Sequence, residues 1–467
     1  MPAIERRTAS PELLILIVGI TLRLALGWYN HDANDPHLPV ILSIAEENRI
    51  PRWNEMWEAY QPKAYYVVVA LVLKIVRSYG DSTAVHAAQA VSTMASIGTL
   101  FVVSSFLKRI DISPRVRALT LALIATSPGL IGIGAQATND SFVILFGSLS
   151  LLAGFRYLNS PSWSRLGGFG AATILAGISK GNGLVMLAVS ALIFAVSFIK
   201  PPPGIWARRM IVAHGSVFLV ISTGMIGTLG SYIQLARETG TPFANGWEHS
   251  GLLKHPVIRP GLTTPLTGLA TFRFVDLLAH PKSTDSRSNY PVHRTSLWSR
   301  VYAQSVFVQF ESWPKSWETF SPTVLALGRL LFVIALVPLV AMLYGLITGT
   351  VTSVRSWWES SAPAGGVYAQ LFIVIAAFAY LLFVALYSMK LRDYSTMKAI
   401  FIYPATVAFA WSFAIGAQRS ISWKRFAGAR PVCAAVCWAV VVCSAADVLA
   451  LCFHLWRAAM LAASGTG

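Results

Sequence analysis

Long apolar runs alternate along this chain with short loops that are basic on one side and mixed on the other. The runs 13–28, 84–107, 119–134, 141–157, 168–178, 183–199, 211–233, 324–347, 367–387, 400–415 and 432–453 each predict a membrane-spanning helix. Eleven spans of roughly 17 to 25 residues are what the chain length accommodates alongside one substantial loop region. The pattern therefore predicts an all-α polytopic membrane protein. The run 64–76 differs: at 13 residues it is too short to span, and it predicts an in-plane or re-entrant helix in the first outer loop.

Basic residues orient the spans. Glu5-Arg6-Arg7 places the N-terminus in the cytoplasm, and Lys108-Arg109 with Arg115 and Arg117 marks the next cytoplasmic loop. Arg156 and Arg165, Lys200 with Arg208-Arg209, and Arg419 with Lys424, Arg425 and Arg430 continue the series. The first span, which lacks a small-residue cleavage site, is read as retained. It carries Asp32, Asp35 and His37 outward, and Asp140 and Lys180 emerge on the same face. The expected location is the cytoplasmic (inner) membrane, with the chemistry facing out. The polar stretch 237–322 is the external segment, between an N-terminal membrane module (1–236) and the C-terminal helices (323–467). No internal or inverted repeat is visible.

Composition narrows the class. Of 467 residues, 55% are hydrophobic and only 12% charged, with a mean hydropathy of +0.59, too apolar for a soluble globule. The net charge of +17 is scattered through inter-span loops, so positive-inside topology accounts for it and nucleic acid is not an expected partner. Cys433, Cys437, Cys443 and Cys452 all lie in or beside the last apolar run and read as packing residues.

The charged residues that topology does not explain are those expected outside: Lys63, Lys180, Lys390, Arg392 and Lys398. A cation at the outer lipid boundary suits a phosphate, whose charge is worth more in low dielectric; the competing account is snorkelling to headgroups. Asp35 precedes a proline and favours an extended or turn conformation just after the first span. Asp32 lies close enough in sequence for both carboxylates to approach one site, where a partly desolvated carboxylate can take a proton from an acceptor hydroxyl. Asp140 opens a span and reads as an N-cap, a site residue or both. His37, Glu58 and the two first-loop acids could hold a divalent ion, but at no recognised metal spacing. His249, His255, His280 and His293 read as surface or structural residues, and Trp298 and the stretch Trp313 to Trp317 as an interfacial aromatic belt.

Taken in order, Asn34-Asp35-Pro36-His37, the stretch from Glu58-Ala59-Tyr60-Gln61-Pro62-Lys63 to Tyr66, Asn139-Asp140 and Ser179-Lys180-Gly181 resemble the phospholipid-carrier-dependent glycosyltransferases. These belong to the GT-C superfamily, with the protein O-mannosyltransferases and the lipid A aminoarabinose transferase. The resemblance covers most of 10–235 and continues more weakly through Met397-Lys398-Ala399-Ile400-Phe401-Ile402-Tyr403-Pro404. It implies a GT-C-type bundle and an inverting transfer of a hexosyl or pentosyl group from a polyprenyl-phosphate sugar to a lipid, glycan or protein acceptor at the outer face. Carried over by residue, Asp35 matches the proposed general base, Asp140 the second-loop acid and Lys63 a donor-phosphate contact. His37, Glu58, Gln61, Tyr66, Lys180, Arg392 and Lys398 complete the expected substrate-binding set. Family members usually carry an Asp-Glu pair where this chain has Asp35-Pro36, and often two prolines where it has Pro62-Lys63. The base thus stays open between Asp35 and Asp32, no cofactor is required, and metal dependence is left open. The rival classes are a transporter or lipid flippase, whose charges belong at mid-span, and an oligosaccharide ligase or polymerase.

Overall fold

The computed structural model describes residues 10–33, 36–77, 80–202, 205–243, 265–282, 296–311, 314–319, 321–391, 397–422, 428 and 430–464. Helix α1 (Pro11–Tyr29) starts where the Ser10 side chain accepts from the Leu13 amide and a proline occupies the first turn. Two short helices follow, α2 (Leu38–Glu46) and α3 (Ala64–Val76), joined through a 3-10 turn at Trp57–Tyr60. Arg77 then ends α3 in the left-handed region, at φ 54°. The membrane helices α4 (Asp81–Leu107), α5 (Pro114–Ala125), α6 (Pro128–Gly134), α7 (Asp140–Asn159), α8 (Trp163–Ser179), α9 (Leu184–Ile199) and α10 (Ile205–Leu229) come next. The chain after α10 contributes the short helices α11 (Tyr232–Thr239), α12 (Pro265–Ala270), α13 (Phe274–Ala279) and α14 (Leu297–Val306). The chain closes with α15 (Pro322–Ile334), α16 (Leu336–Glu359), α17 (Gly365–Leu391), α18 (Thr406–Ser422) and α19 (Arg430–Ala463).

Among the described residues, eight helical stretches are long and apolar enough to cross a bilayer, and the bent pair α5–α6 would make a ninth. The runs 168–178 and 400–415 correspond to α8 and α18, of 17 residues each, the lower limit for a span. Residues as apolar as Ile75, Val220 and Val442 stay exposed, as they should when lipid is the solvent. The protein is a multi-pass membrane protein.

Two expectations are corrected in detail. The run 119–134 is not one straight span: α5 and α6 meet at 47°, because Pro128 has no amide hydrogen to continue the ladder. The run 324–347 is only the N-terminal part of a longer stretch, since α15 and α16 together cover Pro322–Glu359. At about 1.5 Å per residue that stretch extends well past an about 30 Å hydrocarbon core.

One large apolar core joins α4, α5, α7 to α10 and α16 to α18. A second joins α2, α3, α4 and the start of α7 through Val40, Ile41, Tyr65, Tyr66, Leu73, Ala88 and Phe142. That second core docks α2 and α3 against the beginning of α7.

Candidate active site

Three chain segments meet at the start of α7. From the segment between α1 and α4, the buried His37 shares a 3.0 Å hydrogen bond through Nδ1 with the Tyr66 hydroxyl, and Glu58 lies 3.9 Å from the same nitrogen. The Gln61 side-chain nitrogen donates to Glu58, and its Oε1 accepts from Asn139 Nδ2 just before α7. Asp140, 3% exposed, accepts at Oδ2 from Thr138 Oγ1 at 3.0 Å and from Lys180 Nζ at 2.6 Å. Burial first, and then the fields of Glu58, Tyr60, Tyr65 and Asp140, hold the Tyr66 hydroxyl well above its ordinary value and keep its proton in place.

The local sequence explains the convergence. Tyr65 lies edge-on to Phe142 at 5.3 Å between ring centres, and its hydroxyl donates to the Ala88 carbonyl at 2.9 Å, pinning α3 to α4 and α7. Lys180 sits in the turn after α8, where Gly183 is required. A Cβ there would collide with the carbonyl of Ala176, so the turn folds tightly back on the helix end.

Sequence position alone placed Asp140 at a helix start, and the cap reading is now corrected. Asn139 occupies the cap position without a side-chain cap bond, and Thr138 Oγ1 accepts from the Asp140 amide at 3.3 Å. The Asp140 carboxylate is turned instead to Lys180, which leaves its Oδ1 buried and unpartnered.

Other expected site residues are dispersed. Lys63 is buried, with Nζ donating to the carbonyls of Ala59 and Gln61 (2.9 Å to the latter) and lying 5.9 Å from the Tyr66 ring centre. Burial, only partly offset by Glu58, lowers its ammonium to about 8. The backbone carbonyl of Asp32 accepts from Gln89 Nε2 at 3.1 Å, while its side chain is half-buried. Lys398 belongs to a second cluster around Glu311, which pairs with the buried Arg300 and accepts from Gln304 at 2.7 Å. Burial alone would raise the Glu311 carboxyl, but Arg300, Lys398 and Gln304 hold it below its ordinary value. Asp35 and Arg392 lie outside the described residues, as do His249, His255, His293 and Trp313. Trp317 is not in an aromatic belt: it is 2% exposed and donates to Asn30 Oδ1 at 3.1 Å. The four cysteines are free thiols.

The charges that sequence reading missed lie inside spans. Arg23 on α1 is 2% exposed and donates to the carbonyls of Gly19 (2.9 Å) and Ala125 (2.7 Å) and to Ser96 Oγ (2.9 Å). Asp447 on α19 is fully buried and accepts from the Val308 amide at 2.7 Å and Gln309 Nε2 at 3.0 Å. The signal for both was available, since a charge within an apolar run must find a partner inside the bundle. The cavity beside Arg23, lined also by Ser96, Thr99 and Ser141, measures about 10 Å³, room for one water. Among the described residues no three His, Cys, Asp or Glu side chains converge as a metal cage; His37 and Glu58 adjoin, but the described part of the site offers them no third ligand.

No protein-family model and no curated protein sequence matches this chain. Among solved structures, it is similar to the oligosaccharyltransferase AglB from Archaeoglobus fulgidus in complex with an inhibitory peptide and a dolichol-phosphate, at 11% identity. That alignment covers 94% of this chain and 56% of the other, with a TM-score of 0.53. An Archaeoglobus fulgidus oligosaccharyltransferase tethered with an acceptor peptide containing the NVT sequon aligns at 10% identity over 94% of this chain and 55% of the other, with a TM-score of 0.52. ArnT from Cupriavidus metallidurans bound to undecaprenyl phosphate aligns at 14% identity over 89% and 79% of the two chains, with a TM-score of 0.39. The chain thus spans little more than half the length of the archaeal enzymes it matches. Nearly the whole chain aligns with them, and its fold is that of the GT-C membrane glycosyltransferases.

Proposed function

We propose that this protein is an inverting glycosyltransferase of the inner membrane, moving one sugar from a polyprenyl-phosphate carrier to a lipid, glycan or protein acceptor at the outer face. The observation that carries the proposal is the buried Asp140 carboxylate paired with the half-buried Lys180, beside the His37–Glu58–Gln61–Asn139 chain, in a GT-C fold. Here a carboxylate, a cation and neutral hydrogen-bonding groups stand together at the end of a span. A transporter path would instead place ionisable groups along an open mid-span route. Arg23 and Asp447, the charges nearest to that description, are both closed in by internal hydrogen bonds.

The chemistry requires little more. An acceptor hydroxyl attacks the anomeric carbon from the face opposite the phosphate, a carboxylate takes the hydroxyl proton, and the C–O bonding pair leaves with the lipid phosphate. Asp35 is assigned as that base, with Asp32 next in line. Lys63 and Lys180 neutralise charge gathering on the phosphate, with Lys398 and Arg392 as further cations of the outer face. Asp140 orients Lys180. No cofactor enters this scheme.

The test is transfer by purified protein in lipid, from a panel of polyprenyl-phosphate sugars, comparing wild type with Asp35→Asn. Loss of about a hundredfold or more supports both the activity and its base. Equal rates move the base to Asp32. Movement of labelled lipid across the bilayer with no transfer from any donor would overturn the proposal, and an arm with EDTA reads metal dependence directly.

A further inference from the structure

Among the described residues, Asn182 alone leaves both polar side-chain atoms, Oδ1 and Nδ2, buried with no hydrogen-bond partner, at 4% exposure. An unpaired buried amide costs stability, and a residue kept in that condition calls for a partner. Its position is fixed: the Gly183 amide donates to the Lys180 carbonyl at 2.9 Å, and the turn Gly181–Gly183 rests on α7, α8 and α9. The same turn delivers Lys180 to Asp140, so Asn182 belongs to the same end of α7 as Asn139 and Asp140.

The unmet groups have a definite chemical character. Asp140 Oδ1, Asn139 Oδ1 and Asn182 Oδ1 are three acceptors, and Asn182 Nδ2 is the one donor group. A phosphate offers acceptors only and would face three oxygens, one of them carboxylate. A sugar ring offers several hydroxyls, each able to give a proton to one of these oxygens, and one of them to accept from the amide. We propose that Asn182, with Asn139 and Asp140, forms the subsite that holds the hydroxyls of the sugar ring, the lysines being left to the phosphate. This assignment rests on the glycosyltransferase reading and adds to it a specificity-determining residue, Asn182.

The experiment uses the full chain in lipid nanodiscs and two probes, a polyprenyl-phosphate sugar and the same polyprenyl phosphate without sugar, with melting measured in the absence of either. Asn182→Ala is expected to raise the Kd of the sugar-bearing lipid about tenfold or more, the size of one or two lost buried hydrogen bonds. The Kd of the bare phosphate should stay within about twofold, and the unliganded melting temperature should not fall, because the substitution removes two unsatisfied groups. Asn182→Ser, which keeps one shorter hydroxyl, covers the case in which the alanine variant does not fold, and should show a smaller loss in the same direction. Equal weakening of both probes, no weakening of either, or a lower melting temperature with unchanged preference for the sugar would overturn the proposal. If wild type prefers the sugar-bearing lipid and loses that preference in Asn182→Ala, yet transfers from no donor, the subsite stands and the transferase reading falls. Transfer by wild type with Asn182→Ala unaltered gives the reverse.

Discussion

At the residue scale, the two lysines of the site make opposite predictions. Lys63 is held at about 8 by burial, against an ordinary value of 10.5. Between those values the unfolded chain binds the proton and the fold does not, so stability gains as pH rises through that window. Phosphate binding through Lys63 runs the other way, because the cation is lost above about pH 8. Donor affinity measured from about pH 6.5 to 9.5 should weaken above the midpoint by up to about tenfold per unit, and Lys63→Met should flatten the curve. A curve unchanged in Lys63→Met assigns the titration to another group. Lys180 is instead paired, so Lys180→Met strands a buried carboxylate and should lower stability by about 3 kcal/mol, the low end for breaking a buried pair. Adding Asp140→Asn should recover part of that loss in a double-mutant cycle read by thermal melting, while a fully additive pair would show the two groups uncoupled.

At the element scale, the bundle is shaped by where helices must stop. The bend after α5 and the early end of α6 leave carbonyls that α1 and α4 collect: Arg23 takes Ala125, Ser96 takes Leu130 (3.2 Å), Thr93 takes Gly134 (3.0 Å) and Asn30 takes Ala135 (2.8 Å). Ser92 takes the Thr138 carbonyl at 3.2 Å, two residues before Asp140, so this polar seam sets the path into the site. Close helix approach is the second device. A Cβ on Gly345 would collide with the Ser412 carbonyl, and one on Gly416 with the Ala341 carbonyl, so α16 and α18 touch backbone to backbone. Gly416→Val should therefore cost at least about 1 to 3 kcal/mol as overpacking, seen as a lower melting temperature in detergent, whereas Gly428→Val, which meets open space, should leave it unchanged. Equal melting of both variants and wild type would refute the contact.

At the scale of the whole molecule, the stretch 237–322 is tied to the bundle by polar contacts from two ends of the sequence. Trp317 reaches Asn30 on the first loop, and Val308 and Gln309 bond Asp447 on the last helix. The proposed orientation puts this segment outside and the loop between α4 and α5 in the cytoplasm. In a cysteine-free background, Glu238→Cys should react with a membrane-impermeant maleimide in intact cells, and Asp111→Cys only after lysis; both positions are exposed. The opposite labelling would invert the topology and remove the outward-facing site.

Multi-pass character was legible in the sequence, because hydropathy acts locally and residue by residue; the eleven expected spans were not all matched, since among the described residues eight helical stretches, or nine with the bent pair α5–α6, are long and apolar enough to cross. Also legible was the short helix at Ala64–Val76, whose 13 residues are too few to cross. The partners of Arg23, Asp447, Trp317 and Asn182 were not legible. Each is set by a contact with a distant segment, or by the lack of one, and nothing in the neighbouring residues encodes it. The same holds for Asp140: its place at a helix start suggested a cap, and only the return of the chain 40 residues later decided that its carboxylate faces a lysine. Burial is cooperative across segments. The sequence therefore determined which groups arrive at the membrane boundary, and the tertiary structure decided which of them are paired, which are sealed in the core and which are left with hydrogen bonds to make.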